Sequence, residues 1–87
     1  MKIFFSKIFI KNYKKLNKNQ QLKVDQVLDI FQEDPFTRSL KNHKLQGKYS
    51  QQSSISVSHD IRIVFEEKDD YFEVLLLRVG GHSKVYE

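Results

Sequence analysis

Proton chemistry in this chain has few candidates. It holds three histidines and no cysteine, which removes thiolate nucleophiles, disulfides and cysteine-based zinc sites. Imidazole is the side chain whose ordinary pKa lets it act as acid or base near neutrality. His82 stands in RVGGHSKVY, just after a pair of glycines and four residues before Tyr86. The stretch is either a surface turn with incidental polar residues or a piece of an active site, and spacing alone leaves both open. His43 lies in NHKLQG, and His59 directly precedes Asp60. No HxH or HxxxH spacing occurs to support a three-histidine metal site, and no cofactor is expected.

Charge points to a second kind of chemistry. The net charge is +4 and it is unevenly spread: lysines stand at 2, 7, 11, 14, 15, 18 and 23 with no acidic residue before Asp25, and Asp29, Glu33 and Asp34 then follow. A basic stripe is the electrostatic footprint of a phosphate-binding surface. It is also the pattern of a solvated, lysine-rich helix face, the reading that composition alone favours.

These groups need a scaffold, and 87 residues suit one domain, residues 1–87, with one shared core. MKIFFSKIFI is interrupted by lysines and too short to cross a bilayer, so it is expected to be folded domain rather than a signal peptide or membrane segment. Lys2 to Phe5 reads as a short strand with Ser6 as an N-cap. Phe9, Tyr13 and Leu16 then share a helical face. The pattern breaks at Asn17 to Asn19, and Leu22, Val24, Val27, Leu28 and Phe31 continue a second helix to Asp34 and Pro35. Phe36 to Gly47 is a connection carrying Arg38, Lys41, His43 and Lys44. From Ser53 the period becomes two: Ile55 and Val57 alternate with serines, and Ile61, Ile63 and Phe65 alternate with Asp60, Arg62, Val64 and Glu66. Lys68 to Asp70 reads as a turn, and YFEVLLLRV as a central strand covered on both faces. The predicted fold is α+β, an N-terminal strand and two-helix hairpin packed on a small antiparallel sheet.

Alternation sorts side chains by face. If Ile61, Ile63 and Phe65 pack on the helices, Asp60 and Arg62 point to the other side with the serines of the preceding strand. That face is a candidate platform for a charged ligand, or the solvated outer face usual for an antiparallel sheet.

The order of elements and the stretches NHKLQG, HDIRIVFEE and LLLRVGGHSKVYE resemble the RelE/ParE superfamily of type II toxins, in particular its YafQ-like branch. The matching positions are His43 with Leu45 and Gly47, Asp60, Arg78 with Gly80 and His82, and Tyr86. The resemblance covers nearly the whole chain. It implies a RelE-like fold and a ribosome-dependent, metal-independent mRNA endoribonuclease held inactive by a cognate antitoxin. Its partners would be that antitoxin, the ribosome and mRNA, in the cytoplasm, with the free toxin monomeric and larger assemblies formed with antitoxin.

Cleavage by attack of the ribose 2′-OH on the adjacent phosphate needs a base, an acid for the leaving 5′-oxygen, and cations for the charge developing on phosphorus. The resemblance implies His82 as general acid, His43 and Asp60 as base or its orienting partner, Arg78 and Arg62 on the phosphate, and Tyr86 stacking on a base or bonding the phosphate. Lys11, Lys14, Lys15, Lys41, Lys44 and Lys48 would bind RNA. The sequence departs from the branch at Ser56, where another histidine is usual, and at Ile61, where an aromatic often stands; Arg62 matches the catalytic arginine of the RelE branch instead. Two other readings go with the same scaffold: a ParE-like toxin that binds DNA gyrase, and a degenerate member that only binds antitoxin or RNA.

Overall fold

The computed structural model describes residues 1–81. Strand β1 (Lys2–Phe5) leads into helices α1 (Lys7–Lys15) and α2 (Lys18–Glu33), followed by strands β2 (His43–Lys44), β3 (Ser53–Ser56), β4 (Arg62–Lys68) and β5 (Glu73–Gly80), with single 3-10 turns at Arg38–Leu40 and Gly47–Tyr49. The sheet order is β1-β5-β4-β3-β2. The four later strands form the expected antiparallel meander, and β1 joins as an edge strand parallel to β5.

Local chemistry places the helix boundaries. The Ser6 hydroxyl accepts from the Phe9 amide at 2.9 Å and starts α1. Asn17 and Gln20 bond reciprocally at 2.8 and 2.9 Å, a capping box that starts α2 immediately after α1 ends. Asp34 ends α2 before Pro35, whose ring cannot continue the ladder. The apolar stripe of the hairpin, Phe9, Val24, Val27 and Phe31, packs with Ile55, Ile63, Phe65, Val74, Leu76 and Val79 of the sheet. Phe31 meets Phe65 edge-on, with ring centroids 5.0 Å apart. Leu22, predicted on that face, is exposed instead.

Two sheet features differ from the alternation read in the sequence. First, β3 stops at Ser56 and β4 begins at Arg62; a turn closed by the Val57 amide on the Ile61 carbonyl (2.9 Å) lies between them. Asp60 is therefore in that turn and not on a strand, and strand parity does not orient it. Second, β4 and β5 pair Val64 with Arg78 but Phe65 with Leu76, leaving Leu77 as an extra residue in a β-bulge. The bulge reverses the parity of β5. Val74 and Leu76 face the core on one side of it and Val79 does so on the other, so Arg78 is turned away from the helices.

The extra residue is anchored by α1. Ser6, already capping the helix, donates its hydroxyl to the Leu77 carbonyl at 2.7 Å. Further along, where β1 no longer runs beside β5, the Val79 amide donates to Asn12 Oδ1 at 3.2 Å.

Candidate active site

The face of the sheet away from the helices carries two cross-strand rows. His43, Ser54, Val64 and Arg78 form one, on β2, β3, β4 and β5 in turn; Ser56, Arg62 and Gly80 form the next. With about 4.8 Å between neighbouring strands, His43 and Arg78 are about 14 Å apart at their Cα atoms. Arg62 and Arg78 are diagonal neighbours on adjacent strands, roughly 7–8 Å apart at Cα, well within the reach of two guanidinium side chains. Two cations thus share one face.

That face is not the open polar surface expected from alternation. Ser54 and Val64 are both 0% exposed although neither belongs to the helix-side core. From this same face Arg78 reaches the segment after β2, where its Nη2 donates to Gln52 Oε1 and its guanidinium carbon lies 5.7 Å from the Tyr49 ring centroid. Lys48 places its ammonium 5.2 Å from the same ring. β5 accordingly does not run covered on both faces throughout: it is packed against this segment around Arg78, while Leu75 on the same face is exposed.

Arg62 is only partly buried, yet its Nη1 is buried and has no hydrogen-bond partner among the described residues; the Ser54 hydroxyl is in the same condition. Orphaned buried donors are rare because leaving one unpaired costs about 1–3 kcal/mol, more on a charged group. A guanidinium nitrogen in that state is suited to an anionic oxygen.

The remaining sequence candidates are distributed around this pair. His43 is exposed, and its Nδ1 lies 2.9 Å from the Lys41 carbonyl. A carbonyl only accepts, so Nδ1 carries the proton in this bond; in the neutral ring Nε2 keeps its lone pair, the form a general base needs. Asp60 is exposed and accepts from the Ser58 hydroxyl at 3.3 Å. Its carbonyl is 3.7 Å from where a Cβ on Gly81 would stand, so the turn lies against the end of the described chain. His59 shares that exposed turn. Ser56 stands directly across from Arg62 and donates its hydroxyl to the Ser58 carbonyl at 3.3 Å. His82 and Tyr86 lie outside the described residues.

The lysines divide between two surfaces. Lys41, Lys44 and Lys48 are exposed on the segment around β2, and Lys11, Lys14 and Lys15 are exposed on α1, which packs on the opposite side of the sheet from Arg62 and Arg78. Lys14 also lines an apolar groove of about 380 Å³ between the helices, with Phe5, Phe9, Ile10, Tyr13 and Leu28 among its walls.

The family described as the bacterial toxin of type II toxin-antitoxin systems, YafQ, matches residues 1–87. The chain belongs to the YafQ family of type II toxins. The fold of this YafQ-family toxin is similar to that of crystalline YafQ from E. coli, with a TM-score of 0.82 at 19% identity over 98% of this chain and 97% of that one. A conserved hypothetical protein from Helicobacter pylori, solved in solution, matches with a TM-score of 0.70 at 28% identity over 99% of each chain. The E. coli DinJ-YafQ complex contains a chain that matches with a TM-score of 0.71 at 23% identity, over 98% of this toxin and 97% of that chain. A comparison with curated proteins finds no match.

The fold brings Arg62, Arg78 and the Asp60 turn to one end of β4 and β5, and it leaves His43 at the far end of the same row. Sequence reasoning missed Tyr49 and Gln52. Tyr49 stands between Lys48 and Ser50 in a stretch rich in basic residues, a weak signal for an aromatic near an anion; nothing around Gln52 marks it.

Proposed function

We propose that this YafQ-family toxin is a ribosome-dependent mRNA endoribonuclease, neutralised by a cognate antitoxin. The observation that carries the reading is the pair of guanidinium groups on one sheet face, one of them with a buried, unpartnered nitrogen. Attack of a 2′-OH on the neighbouring phosphate builds negative charge on the non-bridging oxygens, and fixed cations aimed at that charge lower the barrier more than they help the ground state. Arg62 and Arg78 supply those cations. His82 donates the proton to the leaving 5′-oxygen. The base for the 2′-OH is His43, whose Nδ1 is committed to the Lys41 carbonyl and whose Nε2 is then free to accept, or Asp60, exposed in the turn before β4. Tyr86 packs on a base. No metal takes part in these steps.

RNA is held from two sides. Lys41, Lys44 and Lys48 lie on the segment around β2, near the cutting face, and follow the mRNA strand. Lys11, Lys14 and Lys15 on α1 face away from it and meet ribosomal RNA phosphates.

Primer extension on mRNA from a translating extract tests the reading. Codon-phased cuts with the wild type, lost in His82→Ala and Arg62→Ala, are the expected result. Intact mRNA together with blocked DNA supercoiling would replace the nuclease with a gyrase-binding toxin, and intact mRNA without it would leave a member that only binds.

A further inference from the structure

We infer that Gln52 and Tyr49 are positioning residues that hold the Arg78 guanidinium as a preformed clamp for the scissile phosphate, an inference that rests on the nuclease reading above. A free arginine side chain has several rotatable bonds and loses their entropy whenever it is fixed on a ligand. In this toxin the fixing is done before RNA arrives. Gln52 Oε1 accepts from Arg78 Nη2, which sets the direction of the fork in its own plane. The Tyr49 ring, 5.7 Å from the guanidinium carbon, limits its height above the sheet. The two contacts restrict different features of the group, the direction of the fork and its height.

The residues holding Arg78 are themselves held. The Gln52 amide donates to the Tyr49 carbonyl at 2.8 Å, so the two move as one unit. The Leu45 amide donates to the Gln52 carbonyl at 2.9 Å and closes the loop onto the chain leaving β2. Gly47 starts the intervening turn at φ +67, where a side chain would be strained even though no atom lies within 4 Å of its missing Cβ. Below this unit, Val64 and Ser54 are sealed from water, so the clamp sits on a packed floor.

The chemistry of the partner also fits positioning rather than neutralisation. An amide oxygen holds a guanidinium nitrogen without adding a negative charge of its own, whereas a carboxylate at position 52 would compete with the phosphate. Lys48, on the same ring at 5.2 Å, adds a second positive charge close by.

The test compares wild type, Gln52→Ala, Gln52→Glu, Tyr49→Leu, Tyr49→Phe and Arg78→Ala on mRNA-programmed ribosomes, with single-turnover rates, half-saturation and thermal melting measured for each. Side-chain Nε–Hε NMR of Arg78 is recorded on the free toxins. Gln52→Ala is expected to lower the rate roughly 10- to 100-fold with little change in half-saturation, because a small misplacement of a catalytic group costs on that order. Its Arg78 Nε–Hε signal should lose its dispersion, and adding Gln52→Ala to Arg78→Ala should cost nothing more. Gln52→Glu should restore the ordered signal and most of the rate, but with weaker half-saturation. Tyr49→Phe should behave like the wild type and Tyr49→Leu like Gln52→Ala. Wild-type rate in Gln52→Ala, tighter half-saturation in that variant, or an unchanged Arg78 signal overturns positioning. A wild-type toxin that leaves mRNA intact overturns the nuclease reading itself, which the control lane shows separately.

Discussion

A single nitrogen distinguishes the two arginines of this sheet face. Arg78 is bonded to Gln52, while Arg62 keeps a buried Nη1 with no partner among the described residues. A group retained for structure would be paired, so the two roles separate in one experiment. Arg62→Ala should lower cleavage by roughly 10²–10³-fold, the usual cost of removing one donor from a developing oxyanion. It should leave the melting temperature unchanged or raise it, since an uncompensated buried donor is removed. A large drop in melting temperature would assign Arg62 to the scaffold. Two tyrosines contribute to the loss of stability at alkaline pH. Burial is the main cause holding the Tyr71 hydroxyl above its ordinary 10.0, with Glu67 and Asp70 adding to it against the Asn42 hydrogen bond; the hydrogen bond to Asp25 does the same for Tyr13. A raised pKa means the fold favours the protonated phenols, so their contribution is intact below pH 10 and is lost as pH rises through their titration. Thermal melts across pH 8–11.5 should show stability falling above about pH 10, less steeply in Tyr13→Phe.

At the scale of elements, one hydroxyl serves two of them. Ser6 accepts from the Phe9 amide and donates to the Leu77 carbonyl, joining the start of α1 to the bulge that turns Arg78 toward the site. Ser6→Ala removes both bonds and should cost about 1–2 kcal/mol, which lowers the melting temperature by about 4–8 °C per kcal/mol in a domain of this size. Ser6→Asp separates the functions: its carboxylate caps the helix but has no proton for Leu77. That variant should recover most of the stability and still cut more slowly than Ser6→Thr, which keeps both bonds. Equal rates for the two would show that the bulge holds without the serine.

At the scale of the whole molecule the sheet separates two basic surfaces. α1 packs on β5 from the core side, so Lys11, Lys14 and Lys15 face away from Arg62 and Arg78. Binding through these lysines and cutting at the arginines should therefore be separable. Lys11→Glu, Lys14→Glu and Lys15→Glu together should weaken ribosome binding and reduce the salt slope of log K by about one for each phosphate that is no longer neutralised. The Arg78 NMR signal should not change. If binding at 50 and 200 mM salt is unaffected by the three reversals, the helix is only a solvated face.

Whatever depends on neighbours along the chain was legible from the residues alone. Ser6, Asn17 and Pro35 placed the helix ends because caps and proline act on the amides next to them. The change of period at Ser53 announced the sheet, and the ordered motifs NHKLQG and RVGGHSKVY pointed to the family that matches the whole chain. Asp60 shows where this information stops. Alternation carried it onto β4, but a strand exists only where it has a partner, and pairing begins at Arg62 with Ser56. The orientation of Arg78 shows the same thing more strongly. Without the bulge its parity would match Val74 and Leu76 and send it into the core; the extra Leu77 has its carbonyl bonded by the hydroxyl of Ser6, 71 positions away in sequence. Likewise Val64 and Ser54 were legible as facing away from the helices, but not as buried, because burial on that face depends on groups brought over it from elsewhere in the chain. These points were settled in three dimensions, since each depends on groups that meet only when distant segments fold together.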